Sequence, residues 1–120
     1  MTMKVEKLDA ALGARITGID LTQPLDAGTL ADIKSAWVEH LVLIFPGQNL
    51  PEEDQIRFSK YFGDLGSRKR KTPVPEGERV RSGLMLVSNI RENGEPIGSL
   101  PDGEMMFHSD GAYDDQPYKY

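Results

Sequence analysis

Cysteine is absent from the 120 residues, which removes disulfides, zinc–thiolate sites and thiol nucleophiles together. Histidine occurs only twice, at His40 and His108, so any imidazole chemistry rests on those two positions. Long apolar runs are missing as well. The longest, Leu41-Val42-Leu43-Ile44-Phe45, is far too short to cross a bilayer. The opening Met1-Thr2-Met3-Lys4-Val5-Glu6 has no apolar stretch and no small-residue cleavage site, so no secretory signal is expected and a cytoplasmic location fits. An excess of positive charge is also lacking: fourteen basic against nineteen acidic side chains leave a net charge of −5. Nucleic-acid binders rest on such an excess, so that class is not expected. Arg68-Lys69-Arg70-Lys71 is the local exception. No internal repeat, heptad or low-complexity segment is visible.

What is present reads as a soluble, globular chain, 38% hydrophobic and 28% charged. Its length suits one small domain or part of a larger one. Residues 15–21 alternate well enough for a strand, ended by Thr22-Gln23-Pro24. Leu30, Ile33, Trp37 and Leu41 recur at spacings of three and four, which predicts a helix over 29–40 with Trp37 as its core anchor. The run 41–45, stopped by Pro46-Gly47, reads as a buried strand. Pro51 fits a first helical position, with Glu52, Glu53 and Asp54 near the positive end of the dipole. Ile56, Phe58, Tyr61 and Phe62 supply that helix's apolar face, and Gly63 a left-handed stop.

Residues 67–82 are polar, basic and proline-containing, the signature of a mobile loop. Strand character returns over 84–88. Asn93-Gly94 and Pro101-Asp102-Gly103 are turn signals, and 105–110 reads as the last strand. The early alternation of strand and helix suggests a doubly wound sheet. No glycine-rich phosphate loop follows the first strand, however, and the second half is hairpin-like. An α+β protein built around an antiparallel sheet is the better expectation.

Chemistry concentrates in Phe107-His108-Ser109-Asp110. On a strand, residues two apart share a face, so the His108 imidazole and the Asp110 carboxylate would lie side by side. Such a pair is two thirds of the 2-His-1-carboxylate set that holds non-haem Fe(II). A His–Asp hydrogen bond on a sheet face, with no metal, is the alternative. Phe107 would point to the opposite face and anchor the strand, while Gly103 and Gly111 would permit close approach. His40, at a helix C-terminus, reads as structural. Tyr113, Asp114 and Asp115 follow as a polar cluster, the two aspartates reading as a surface turn.

Three blocks in order resemble a known family. The segment 12–21 resembles the opening strand of the taurine dioxygenase-like (taurine/2,4-D dioxygenase) family. Val42-Leu43-Ile44-Phe45-Pro46-Gly47-Gln48, with the helix ending Phe62-Gly63-Asp64-Leu65-Gly66, resembles its next block. Asn93-Gly94-Glu95-Pro96-Ile97-Gly98, Gly103-Glu104 and Phe107-His108-Ser109-Asp110 resemble its metal-binding region.

The resemblance implies the N-terminal portion of a double-stranded β-helix (jelly-roll, cupin-like) with flanking helices. Residues 1–120 would then be the N-terminal part of a single dioxygenase domain, truncated before the distal metal ligand. It implies an enzyme using Fe(II), 2-oxoglutarate and O2 to hydroxylate a small, anionic organic substrate, with succinate and CO2 as co-products. His108 and Asp110 match the first histidine and the carboxylate ligand; the residues that hold 2-oxoglutarate fall beyond Tyr120.

Lys69 and Arg70 lie where such enzymes cover substrate and could attract an anion; a solvated loop is the plainer reading. Asn89 could face the site or bond its own turn. Glu104, four residues before His108, could face substrate or be a solvated turn carboxylate. A non-catalytic cupin-like binding module and a small nucleic-acid-binding domain are the rival functions. The isolated chain, exposing sheet faces and edges, is expected to aggregate or form oligomers.

Overall fold

The computed structural model describes residues 2–65, 80–81, 84–85, 87–96, 106–112 and 115–117. Two compact units divide the chain, Met1–Gly63 and Asp64–Tyr120.

The first unit is built on a three-stranded sheet in the order β1-β2-β3. Strands β1 (Lys4–Lys7) and β2 (Ala14–Thr17) pair antiparallel, Val5 opposite Ile16. Strand β3 (Leu43–Ile44) runs parallel to β2, Ala14 opposite Leu43. A parallel neighbour requires a crossover, and helix α1 (Ala27–His40) supplies it. Along β2 burial alternates strictly: Ala14 and Ile16 are buried, Arg15 and Thr17 exposed. One face of the sheet therefore carries the core, which Ile33 and Ala36 of α1 and Leu21 complete.

Strand β2 is shorter than the expected 15–21. Gly18 turns the backbone to φ +79°, and a Cβ there would lie 2.1 Å from the Thr2 carbonyl oxygen. Only glycine allows the N-terminal segment to pass so closely. Next, the Asp20 carboxylate accepts from the Thr22 amide at 2.9 Å and the Thr22 hydroxyl at 2.6 Å. This Asx turn replaces the ladder. The stretch that follows is held by side chains from far along the chain. Gln48 donates through Nε2 to the Ile19 carbonyl and accepts from the Leu21 amide, both at 3.0 Å. Arg57 donates to the Leu21 carbonyl at 2.9 Å, and the Tyr61 oxygen accepts from the Leu25 amide at 3.1 Å. These bonds satisfy backbone groups that a strand would otherwise have paired.

Helix α1 begins two residues before the expected start because Asp26 caps it. Its carboxylate accepts from the Thr29 amide at 2.8 Å and the Thr29 hydroxyl at 3.0 Å. At the other end Leu41 takes φ +68°, its amide donating to the Trp37 carbonyl at 2.8 Å. The Trp37 indole returns a bond to the Leu41 carbonyl at 2.9 Å. Leu41 is thus a helix cap and 62% exposed, not a member of the apolar stripe. The expected buried strand 41–45 is likewise corrected. Only Leu43–Ile44 is strand, and Val42 and Ile44 are exposed, β3 having β2 as its one neighbour among the described strands.

Helix α2 (Glu52–Lys60) has Pro51 at its N-cap, one place before the expected position, with the three acidic residues in its first turn. Tightened bonds, Tyr61 to Phe58 and Phe62 to Ser59 at 3.1 Å, close it before Gly63. Phe58 of α2 and Phe62 just past its end meet Phe45, which follows β3, and Trp37 of α1. Phe58 meets Phe45 at 5.6 Å and Phe62 at 5.3 Å, and Phe62 meets Trp37 at 5.4 Å, all with steeply inclined rings. Trp37 itself is half-buried.

In the second unit the described strands form two short antiparallel pairs. Strands β4 (Val80–Arg81) and β5 (Leu84–Met85) make one, β6 (Arg91–Glu92) and β7 (Glu95–Pro96) the other. The second is the hairpin predicted from Asn93-Gly94, with φ +52° and +83° at its two central residues, the mirror-image turn that suits strand twist. Strand β5 stops short of Val87 and Ser88, where the sequence predicts continuation to 88. Mixed sheet and helices together make an α+β chain.

Candidate metal centre

The expected strand 105–110 is not formed over its described part. Residues 106–109 belong to no ladder, and Asp110, Gly111 and Ala112 form a turn with Gly111 at φ +65°. Phe107 is fully exposed and anchors nothing. Two local causes account for this. Ser, Asp and Gly in succession favour a turn, and the His108 side chain engages the Met106 carbonyl that a neighbouring strand would need.

The pairing of His108 with Asp110 survives by that different route. The imidazole Nδ1 lies 2.7 Å from the Met106 carbonyl oxygen, and Nε2 lies 3.0 Å from Asp110 Oδ1. A carbonyl only accepts, so Nδ1 carries a hydrogen and donates it. That fixes the ring and leaves Nε2 as the nitrogen facing the carboxylate. Both side chains are open to solvent, at 48% and 83% exposure. The Met106 hydrogen bond raises the His108 pKa above the ordinary 6.5, the Asp110 charge and hydrogen bond adding to it and partial desolvation opposing.

The donor chemistry fits a metal. Metal-bound histidines characteristically donate their second ring N–H to a carbonyl or carboxylate, which sets the tautomer. Here the Met106 carbonyl takes that part. Among the described residues no group of three His, Cys, Asp or Glu gathers around a common point; the described residues bring only this pair together.

The other sequence candidates separate clearly. Asn89 is exposed; Ser88, not Asn89, closes the local turn by accepting from the Ile90 amide at 3.0 Å. Asn89 makes no hydrogen bond to His108, whose partners are Met106 and Asp110. Lys69, Arg70 and Glu104 lie outside the described residues, as do the rest of the basic run 68–71, Gly103, Met105, Tyr113 and Asp114. Asp115 is exposed at a bend, in keeping with a surface position. His40 closes α1, its carbonyl accepting from the Gly13 and Val42 amides at 2.8 Å and its side chain 12% exposed. That is a structural role. The Met106 carbonyl was not singled out by sequence reasoning; nothing in a methionine's identity announces a main-chain acceptor.

Residues 4–120 match the family described as taurine catabolism dioxygenase TauD, TfdA family, and the chain belongs to it. A relative from Delftia acidovorans, named (S)-phenoxypropionate/alpha-ketoglutarate-dioxygenase, is 32% identical over 93% of this chain and 38% of its own length. Among solved structures, AAD-2 in complex with Mn(II) and N-oxalylglycine aligns with a TM-score of 0.52 and 31% identity, over 54% of this chain and 26% of that one. A taurine dioxygenase from Burkholderia xenovorans aligns at 0.51 and 36% identity, over 53% and 24%. The chain thus spans little more than a third of the Delftia relative.

Proposed function

We propose that this chain is the N-terminal part of a single-domain, jelly-roll dioxygenase that uses Fe(II), 2-oxoglutarate and O2. Its substrate is a small anionic organic molecule, and succinate and CO2 are the co-products. The observation that carries the reading is the fixed His108 ring, with Nδ1–H on the Met106 carbonyl and Nε2 beside the Asp110 carboxylate. Membership of the family supports it, as do relatives named for phenoxypropionate and for sulfate esters.

In this reading His108 and Asp110 are two of the metal ligands. The third ligand and the groups that hold 2-oxoglutarate come from sequence beyond these 120 residues. Fe(II), when bound, supplies the redox chemistry by which 2-oxoglutarate and O2 give succinate, CO2 and a hydroxylated product. The chain's own contribution is to present a neutral Nε2 and an ionised carboxylate together, in a position open to solvent. Lys69 and Arg70 attract the substrate's anionic group, and Asn89 and Glu104 contact substrate. Among the described residues no helix is long and apolar enough to cross a membrane; we place the enzyme in the cytoplasm.

Succinate formation from 2-oxoglutarate, measured over a panel of aryloxyalkanoates, sulfate esters and sulfonates, tests the reading. At least one anion should stimulate turnover above the substrate-free rate. Lys69→Ala with Arg70→Ala should raise KM for that anion by about tenfold while kcat changes little, as expected for loss of charge-assisted contacts. Turnover indifferent to every anion, with KM unmoved by the double substitution, would count against the anionic substrate and the role of the basic pair.

A further inference from the structure

The hairpin β6–β7 carries chemistry that the dioxygenase reading does not use. Its turn consists of Asn93 and Gly94, the register placing Glu92 opposite Glu95 and Arg91 opposite Pro96. Both turn residues are exposed. The ladder engages the backbone of the flanking residues, whereas the amide between the two central residues of such a turn lies outside it. Gly94 has no Cβ to shield that nitrogen and open space where one would stand, while its carbonyl accepts from Arg91 Nη1 at 3.3 Å.

We propose that Asn93 is a site of spontaneous deamidation in the folded protein, with water as the only co-reactant. Base removes the Gly94 amide proton, and that nitrogen forms a bond to Asn93 Cγ. The Cγ–Nδ2 bond breaks, and the amide group takes up a proton and leaves as ammonia. Water then adds across either C–N bond of the five-membered imide, giving aspartate or isoaspartate. Nothing is oxidised or reduced. The isoaspartyl product places an extra methylene in the main chain of a two-residue turn, which cannot keep the Glu92–Glu95 and Arg91–Pro96 register. Either product adds a negative charge between two glutamates.

The chain contains its own controls. Asn49 and Asn89 are followed by Leu50 and Ile90, whose side chains crowd the attacking nitrogen. Asn93 should react at least about tenfold faster than either, the advantage of a successor with no side chain over a branched one.

The experiment incubates the soluble protein, its fold checked by circular dichroism, in mildly alkaline buffer and follows ammonia release, with peptide mass mapping to locate the change. The expected result is one equivalent of ammonia, a deamidation mass gain confined to the peptide holding Asn93, and isoaspartate at that position. Asn93→Asp, which keeps the side-chain shape and lacks the amide, should release none. A parallel incubation in urea distinguishes sequence from structure. Native and unfolded rates within a few-fold of each other support an open site. A native chain that stays intact while the unfolded one reacts, or reaction spread equally over the three asparagines, would overturn the proposal.

Discussion

The two ring nitrogens of His108 face acceptors of different kinds, a neutral carbonyl on Nδ1 and a carboxylate on Nε2. Without a metal, the doubly protonated ring satisfies both, which is why its pKa is raised, first through Met106 and then through Asp110. A metal needs Nε2 without its proton, so protons and metal compete. The sign follows: below the raised pKa the imidazolium dominates, and affinity falls by about tenfold per pH unit from a single-proton competition. A titration of metal affinity against pH should begin to fall above 6.5, the ordinary histidine value. A profile that breaks below 6.5 would show that the ring is not held as described. Asp110 brings its charge from the first residue of the turn that follows rather than from a strand.

At the scale of elements, those with local causes were legible and those with distant ones were not. The 3.6-residue spacing of Leu30, Ile33 and Trp37 suffices for α1, and Asn93-Gly94 for the β6–β7 turn, because both depend on neighbours in sequence. The last strand failed where His108 takes a backbone acceptor and Ser109-Asp110-Gly111 turns the chain. A period-two pattern cannot register such side-chain competition. The support of residues 19–25 by Gln48, Arg57 and Tyr61 was invisible for another reason: each bond spans 27 to 36 residues. For the candidate site the residue types were readable, whereas the geometry joining them was not.

Asp26 offers a test at this scale. Its carboxyl titrates below the ordinary 3.8, first through the Thr29 amide and then the Thr29 hydroxyl. A depressed pKa means the charged cap contributes stability above 3.8 that is lost as pH falls through the lowered value. Asp26→Ala should lower the thermal midpoint by a few degrees near neutral pH, and less in acid; Asp26→Ser, which keeps an acceptor, should recover most of the loss. Circular dichroism melting of the whole protein and its two variants checks this. Equal midpoints would remove Asp26 from the stability of α1.

At the scale of the whole molecule, several large apolar side chains among the described residues stand exposed. Val38, Leu41, Val87, Ile90, Met106 and Phe107 all exceed half exposure, and β3 leaves one edge unpaired among the described strands. Exposed apolar side chains favour association where they cluster, and open edges invite further pairing. The isolated 120-residue chain should therefore sediment as oligomers or aggregates at micromolar concentration. A monodisperse monomer that unfolds in one cooperative transition would show that the segment is self-sufficient.

The central claim is that His108 and Asp110 jointly hold a metal, and anaerobic Fe(II) binding to the protein tests it most directly. With 2-oxoglutarate present, the native protein should develop a weak visible charge-transfer band. His108→Ala should abolish that band and weaken Fe(II) binding by about a hundredfold or more, since loss of an outer partner alone costs ten- to a hundredfold. An unchanged band and affinity in the variant would remove His108 from the metal and contradict the account.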